Sequence, residues 1–96
     1  MNVQIKGKFQ LKRIYQGKEH VFHTMEEFGE EYPHRIQLAS EKEMFRETNP
    51  GDVIELIVDT EMREFVKNGS RNTIFYVESI NYSVYALNLT KKGGDK

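Results

Sequence analysis

Apolar and polar residues alternate along the start of the chain, which is the pattern of a strand with one buried face. Ile5, Phe9 and Leu11 fall on one side of this pattern, and lysines and glutamines fall on the other. The alternation predicts a half-buried strand from Val3 to Tyr15. Gly7 lies inside it, where glycine is typical of a bulge or a bend that lets a long strand serve both halves of a small barrel.

Two shorter strands and an acidic loop are predicted next. Residues 16–19 carry a turn signal, and a weaker strand pattern covers His20 to Thr24. Residues 25–34 are acidic and contain a glycine and a proline, so we expect an exposed loop, with room for one helical turn. Alternation resumes from Arg35 to Ala39, which predicts another strand.

A short helix is predicted between this strand and the second half of the chain. Ser40 suits an N-cap, and the acids that follow suit the first turn of a helix from Glu41 to about Glu47. Met44 and Phe45 could dock this helix on the core. Asn49 to Asp52, with the sequence Asn-Pro-Gly-Asp, is expected to end it in a turn.

The second half of the chain predicts a long β-hairpin. Val53 to Val66 is rich in strand formers, and its alternation loses phase near Thr60, which predicts a twist or bulge there. Asn68 and Gly69 are the residues that a two-residue type I′ turn requires, because both tolerate positive φ. Arg71 to Tyr82 returns as the second strand. A last edge strand is expected from Val84 to Leu89.

Length and composition then limit the class of protein. The 96 residues suit one domain, which we expect to span 1–89, with a disordered tail at 90–96. The absence of cysteine excludes disulfides and thiolate sites and suits the cytoplasm. No apolar run has the length of a signal peptide core or of a membrane span. The expected fold is all-β with one short helix, in a small barrel of five or six strands.

Charge is segregated along the chain, although the formal net charge is only −1. Residues 1–18 hold five cations and no acid, whereas residues 25–31 hold four acids and no base. A near-neutral total argues against a polyanion partner, but this segregation leaves one part of the surface basic.

Catalytic and cofactor motifs are not found in the sequence, so neither an enzyme nor a small-molecule cofactor is predicted. One alternative is a metal site or a small enzyme built on His20, His23 and the acids between Glu26 and Glu31. His34 lies beside the same loop. Residues three apart on a strand point to opposite faces, and paired acids on a loop are usually solvated, so no metal site is predicted.

Cations and aromatics on the strands favour a different chemistry. Cations that follow a backbone and aromatics that stack on bases are the means of sequence-tolerant single-strand binding. Outward lysines are often only solubilising and tyrosines often only pack, so both simpler interpretations stay open. The candidate contacts are Lys6, Lys8, Lys12, Arg63, Phe65, Lys67, Arg71 and Tyr76.

The hairpin also resembles a known family. The segment Pro50 to Ile80 is similar to the C-terminal half of bacterial single-stranded-DNA-binding proteins, with a Pro-Gly start, an Arg-x-aromatic motif, a polar turn with glycine and a strand ending in Val-x-x-Ile. The counterpart residues are Gly51, Val53, Arg63, Phe65, Gly69, Val77 and Ile80. The resemblance implies an OB-fold, a five-stranded barrel in which the turn of this hairpin is a DNA-contacting arm.

The sequence departs from that family in two respects. It has no tryptophan for base stacking, and its last residues are basic where the family has an acidic tip that recruits partners. These departures favour a divergent relative encoded by a phage or plasmid.

The predicted function is therefore binding of single-stranded nucleic acid, DNA rather than RNA, in a process such as DNA replication. A homo-oligomer is left open. The main alternative is a protein-interaction module that uses the barrel or its edge strand.

Overall fold

The computed structural model of the protein describes residues 1–45 and 48–87. The predicted tail at 90–96, and residues 88 and 89 of the predicted domain, lie outside these ranges. The described chain contains five strands and no helix. The strands are β1 (Asn2–Gln16), β2 (Val21–Glu27), β3 (Arg35–Ser40), β4 (Val53–Lys67) and β5 (Ser70–Ala86).

The five strands close into a barrel in the order β1-β2-β3-β5-β4. All neighbours are antiparallel except β3 and β5, which are parallel. β1 joins the two halves, because Asn2 to Gln10 pair with β4 and Phe9 to Gln16 pair with β2. This arrangement is an OB-like fold, so the predicted class and the role of the long first strand are confirmed.

The bulge in β1 lies at Lys12 and not at Gly7. Gly7 pairs with Leu56 in an uninterrupted register, although its φ is +150°. The register with β2 shifts between Leu11 and Arg13, which leaves Lys12 as the extra residue. Of the bulge or bend predicted at Gly7, the bulge is therefore wrong, and the bend stays a prediction.

β2 runs further than its sequence pattern indicated, and the acidic loop is correspondingly shorter. Met25 is fully buried and pairs with Leu11 on one side and Ile36 on the other. Val21, His23 and Met25 all point inward, so the alternation continues into the acidic segment. The prediction of a loop from residue 25 is wrong, because burial of Met25 holds 25–27 in the sheet.

The predicted helix after β3 is absent from residues 41–45, the described part of that segment. Ser40 does not cap a helix; it ends β3, and its hydroxyl donates to the Lys42 carbonyl oxygen. Local bonds of this kind compete with helix formation. The expected docking of Phe45 is confirmed, since its ring is fully buried and lies edge-on to the rings of His23 and Tyr82 at 5.3 and 4.9 Å between centroids.

The long hairpin of β4 and β5 is confirmed. Asn68 and Gly69 have φ of 52° and 80°, as a type I′ turn requires, and a register shift lies between Asp59 and Thr60. The separate edge strand predicted from Val84 is wrong in its described part, because residues 84–86 continue β5 and pair with β4. The buried core of the barrel comprises Phe9, Leu11, Met25, Leu38, Phe45, Ile54, Leu56 and Val58. No helix that could span a membrane is found in residues 1–45 and 48–87.

Candidate nucleic-acid interface

A groove lies on the outer face of the barrel, between the β1–β2 surface and the β4–β5 hairpin. Its cavity is about 420 Å³ in volume. Arg13, Tyr15 and Phe22 line it from the barrel, whereas Phe65 and Lys67 line it from the hairpin. The remaining lining residues are Gln37, Asn72, Thr73 and Ile74.

The bulge at Lys12 places two of the barrel residues on this outer face. Leu11 and Ile14 both point inward, so Lys12 and Arg13 lie between two inward side chains. After the bulge, Arg13 pairs with Thr24 and Tyr15 pairs with Phe22. If β1 ran through Lys12 without the register shift, strict alternation would turn Arg13 and Tyr15 toward the same face as Leu11. The bulge thus supplies the groove with one cation and one aromatic ring.

Aromatic rings form a continuous row along this face. The rings of Tyr15 and Phe22 are 6.2 Å apart, and the His20 ring lies 6.4 Å from Phe22 and 5.2 Å from Tyr76. The Arg63 guanidinium lies 5.0 Å from the centre of the Tyr76 ring, a cation–π contact. Rings held in this way offer flat apolar surface beside a fixed positive charge.

The hairpin presents alternate side chains to its two faces. Phe65 pairs with Asn72, so both side chains lie on the same face of the hairpin, and both line the groove. Val66 pairs with Arg71 on the opposite face. Of the hairpin residues predicted as contacts, Phe65 and Lys67 line the groove, and Arg63 and Tyr76 contact each other further along the same face. Arg71 lies on the opposite face.

The lysines predicted as contacts on β1 are also separated. Lys6 pairs with Ile57 on the outer face shared by β1 and β4, and Lys8 lies on that face with its Nζ 4.1 Å from the centre of the Tyr85 ring. Neither lysine lines the groove. Lys12, at the bulge, lines a second cavity beside the groove together with Arg13, Thr24 and Arg35.

Two acids pair with cations of the interface: Glu61 lies 3.5 Å from the Arg63 guanidinium, and Glu26 pairs with Arg35. Arg35 donates from Nε to Oε1 of Glu26 at 2.8 Å. This hydrogen bond, with smaller contributions from the charges of Lys12 and Arg35, holds the pKa of Glu26 below its ordinary value. Glu26 is therefore ionised at neutral pH, and it orients the Arg35 guanidinium by accepting a hydrogen bond from its Nε edge.

The histidines do not form a metal site. His23 is fully buried, with Nδ1 3.2 Å from the Leu38 carbonyl oxygen and Nε2 3.4 Å from the Met44 backbone nitrogen, so both ring nitrogens are occupied. His34 bonds Glu27 at the surface. Across 1–45 and 48–87, no three side chains of the types that bind metals are grouped to hold an ion.

Comparisons with known proteins bear on the fold. No protein-family model matches the sequence, and no curated protein matches it. Among solved structures, the chain is similar to the mitochondrial single-stranded DNA-binding protein Rim1 of S. cerevisiae, with a TM-score of 0.63 and 9% sequence identity. The match covers 92% of this chain and 96% of that one. The likeness shows an OB-like fold shared over nearly the whole length.

Several groove residues were missed from the sequence. In the groove these include Arg13, Tyr15, Phe22 and Gln37, and in the adjoining cavity Arg35 was also missed. One signal was available, because the consecutive polar pair Lys12 and Arg13 between two apolar residues breaks the alternation of β1. For Phe22 and Gln37 no comparable signal exists, since their positions depend on pairing between strands.

Proposed function

We propose that the protein binds single-stranded nucleic acid, DNA rather than RNA, in the groove between the barrel and the hairpin. The observation that carries the proposal is that Phe65 and Lys67 line one cavity together with Tyr15, Phe22 and Arg13. Aromatic rings and cations on both sides of a groove suit a chain of flat bases joined by phosphates.

The chemistry needs no base-specific pairing. Each base has a flat face that can stack on Phe or Tyr, and each phosphate can pair with Arg or Lys. A duplex hides its base faces, so a groove of this kind favours unpaired strands. The proposed contacts are Arg13, Tyr15, Phe22, Arg63, Phe65, Lys67 and Tyr76.

The shared fold gives independent support. The protein similar in structure over most of the chain is named as a single-stranded DNA-binding protein. OB-folds bind oligonucleotides on the surface of the second and third strands and on the loop between the fourth and fifth, where this groove lies. Lys6, Lys8 and Arg71, which the sequence suggested as contacts, do not line the groove and are not among the contacts proposed here. A cytoplasmic location and a phage or plasmid origin stay predictions.

The experiment compares two neighbouring residues of the hairpin. Fluorescence anisotropy with a labelled, unstructured oligonucleotide measures Kd at low salt for the unaltered protein, Phe65→Ala and Val66→Ala. Phe65 lines the groove and is 42% exposed, whereas Val66 lies on the other face and is 70% exposed.

Loss of one stacking ring is expected to cost about 1–3 kcal/mol, which weakens binding by roughly 5- to 150-fold in Phe65→Ala. Val66→Ala should bind as the unaltered protein does. Absence of binding by the unaltered protein at micromolar concentration, or equal Kd values for the two variants, would contradict the proposal.

A further inference from the structure

A polar cavity of about 360 Å³ adjoins the groove and is surrounded by cations. Lys12, Arg13, Thr24 and Arg35 line it. Arg13 also lines the groove, and a third cavity shares Thr24 and Arg35 with this one and Gln37 with the groove. A strand that leaves the groove along β3 would therefore pass this cavity.

The cations converge here because of the bulge in β1. Consecutive residues of a regular strand point to opposite faces, so Lys12 and Arg13 could not both border one outer cavity without the extra residue. Arg35 reaches the same cavity from β3, across Thr24 of β2, which pairs with both Arg13 and Gln37. Bulges commonly re-aim side chains toward functional sites.

The positive charge at this cavity exceeds the negative charge. Glu26 bonds only the Nε of Arg35, which leaves the other guanidinium N–H donors of Arg35 available. Within the described residues, neither Lys12 nor Arg13 forms an ion pair, and Lys12 makes only a 3.4 Å contact from Nζ to Gln10 Oε1. The cavity therefore offers two cations without an ion pair, a third cation oriented by an acid, and a hydroxyl. All four can donate hydrogen bonds to the oxygens of a phosphate group.

We propose that Lys12, Arg13, Arg35 and the Thr24 hydroxyl bind one phosphate of the nucleic-acid strand that occupies the groove. This inference rests on the proposed function. The cavity would hold one phosphate, and this contact would set the point at which the sugar-phosphate backbone of the nucleic acid leaves the row of aromatic rings. A free phosphate ion presents the same chemistry, so the test separates the two sources.

The first measurement is the salt dependence of oligonucleotide binding. Neutralising one phosphate of a single strand changes the slope of log K against log salt by about 0.7. We expect the double variant Lys12→Gln with Arg13→Gln to lose at least about that much slope. The matched variant Lys6→Gln with Lys8→Gln removes two charges from the same strand on the face outside the groove, and its slope should not change.

The second measurement uses inorganic phosphate without oligonucleotide. Backbone amide shifts of Arg13, Thr24 and Arg35 are followed by NMR as phosphate is added, in the unaltered protein and in the Lys12→Gln, Arg13→Gln variant. Weak, localised shifts that the variant lacks would show that the cavity takes phosphate by itself. Both substituted side chains are exposed, so melting temperatures should stay equal and confirm folding.

The outcomes distinguish this inference from the proposed function. If the unaltered protein binds the oligonucleotide but both double variants keep its slope, the phosphate site and the contact proposed for Arg13 are wrong, and the rest of the groove remains. If the unaltered protein binds no oligonucleotide, the proposed function fails; localised phosphate shifts would then support a free-anion site, and their absence would remove the site as well.

Discussion

Acidification is expected to destabilise the fold through one buried histidine, His23. Its side chain is fully buried, Nδ1 lies 3.2 Å from the Leu38 carbonyl oxygen, and the Met44 N–H donates to Nε2 at 3.4 Å. This arrangement requires the neutral ring with its proton on Nδ1. A second proton on Nε2 would displace the Met44 donor and place a charge beside the ring of Phe45.

The direction of the effect follows from the pKa. Burial lowers the pKa of His23 below 6.5, and the bond to Leu38 and the charge of Glu43 oppose this only in part. Well above pH 6.5 the ring is neutral in both states, and its contribution to stability is complete. As the pH falls below that value the unfolded chain gains a proton that the folded chain does not, so the free energy of unfolding decreases by up to about 1.4 kcal/mol per pH unit.

The assay is urea unfolding between about pH 7.5 and pH 5, compared with His23→Gln, which keeps a donor and an acceptor but cannot titrate. His20 and His34 remain in both proteins and cancel. Glu26, Glu27 and Asp59 also have lowered pKa values, but their contributions are lost only near pH 4 and below. Parallel stability curves for the two proteins over this window would refute the reasoning.

Three further outcomes are expected. Phe45→Ala removes a fully buried ring and should lower the free energy of unfolding by about 3–5 kcal/mol in urea titrations, with a smaller loss contradicting its role in the core. Gly17→Ala places a methyl group 2.7 Å from the Phe22 ring and 2.8 Å from the His20 carbonyl oxygen. Because the Phe22 ring must then move, anisotropy should show weaker oligonucleotide binding, and the melting temperature should fall. Lys67→Glu should weaken binding on the order of tenfold at low salt, whereas Arg71→Glu, an equal charge reversal on the other face of the hairpin, should do less. Equal effects would contradict the assigned faces.

The features predicted well from sequence are those with a local cause. Asn68 and Gly69 specify their own turn because only a few residue types tolerate positive φ. The register of the hairpin does shift at Thr60, but the extra residue is Glu78 on β5, and β4 keeps its alternation through Thr60. The prediction of a helix after Ser40 was wrong because a serine that could cap a helix can equally form a local hydrogen bond with the backbone, as Ser40 does with Lys42. The prediction of a loop from residue 25 was wrong because Met25 is held in the sheet by its partners on β1 and β3. Pairing between strands of this kind is not visible in the local sequence pattern.

The candidate site depends most on the register shift in β1, which the sequence pattern placed at Gly7 and the structure places at Lys12. Phe65 and Lys67 could be proposed because the hairpin specifies its own pairing, so their faces follow from the turn. Arg13 and Tyr15 could not, because their faces depend on where β1 changes register against β2, and a shift of one residue reverses every side chain beyond it. A lysine and an arginine between two inward apolar residues are therefore better evidence for a bulge than a glycine in regular alternation. Such a pair should be examined first when a long strand is expected to carry a binding surface.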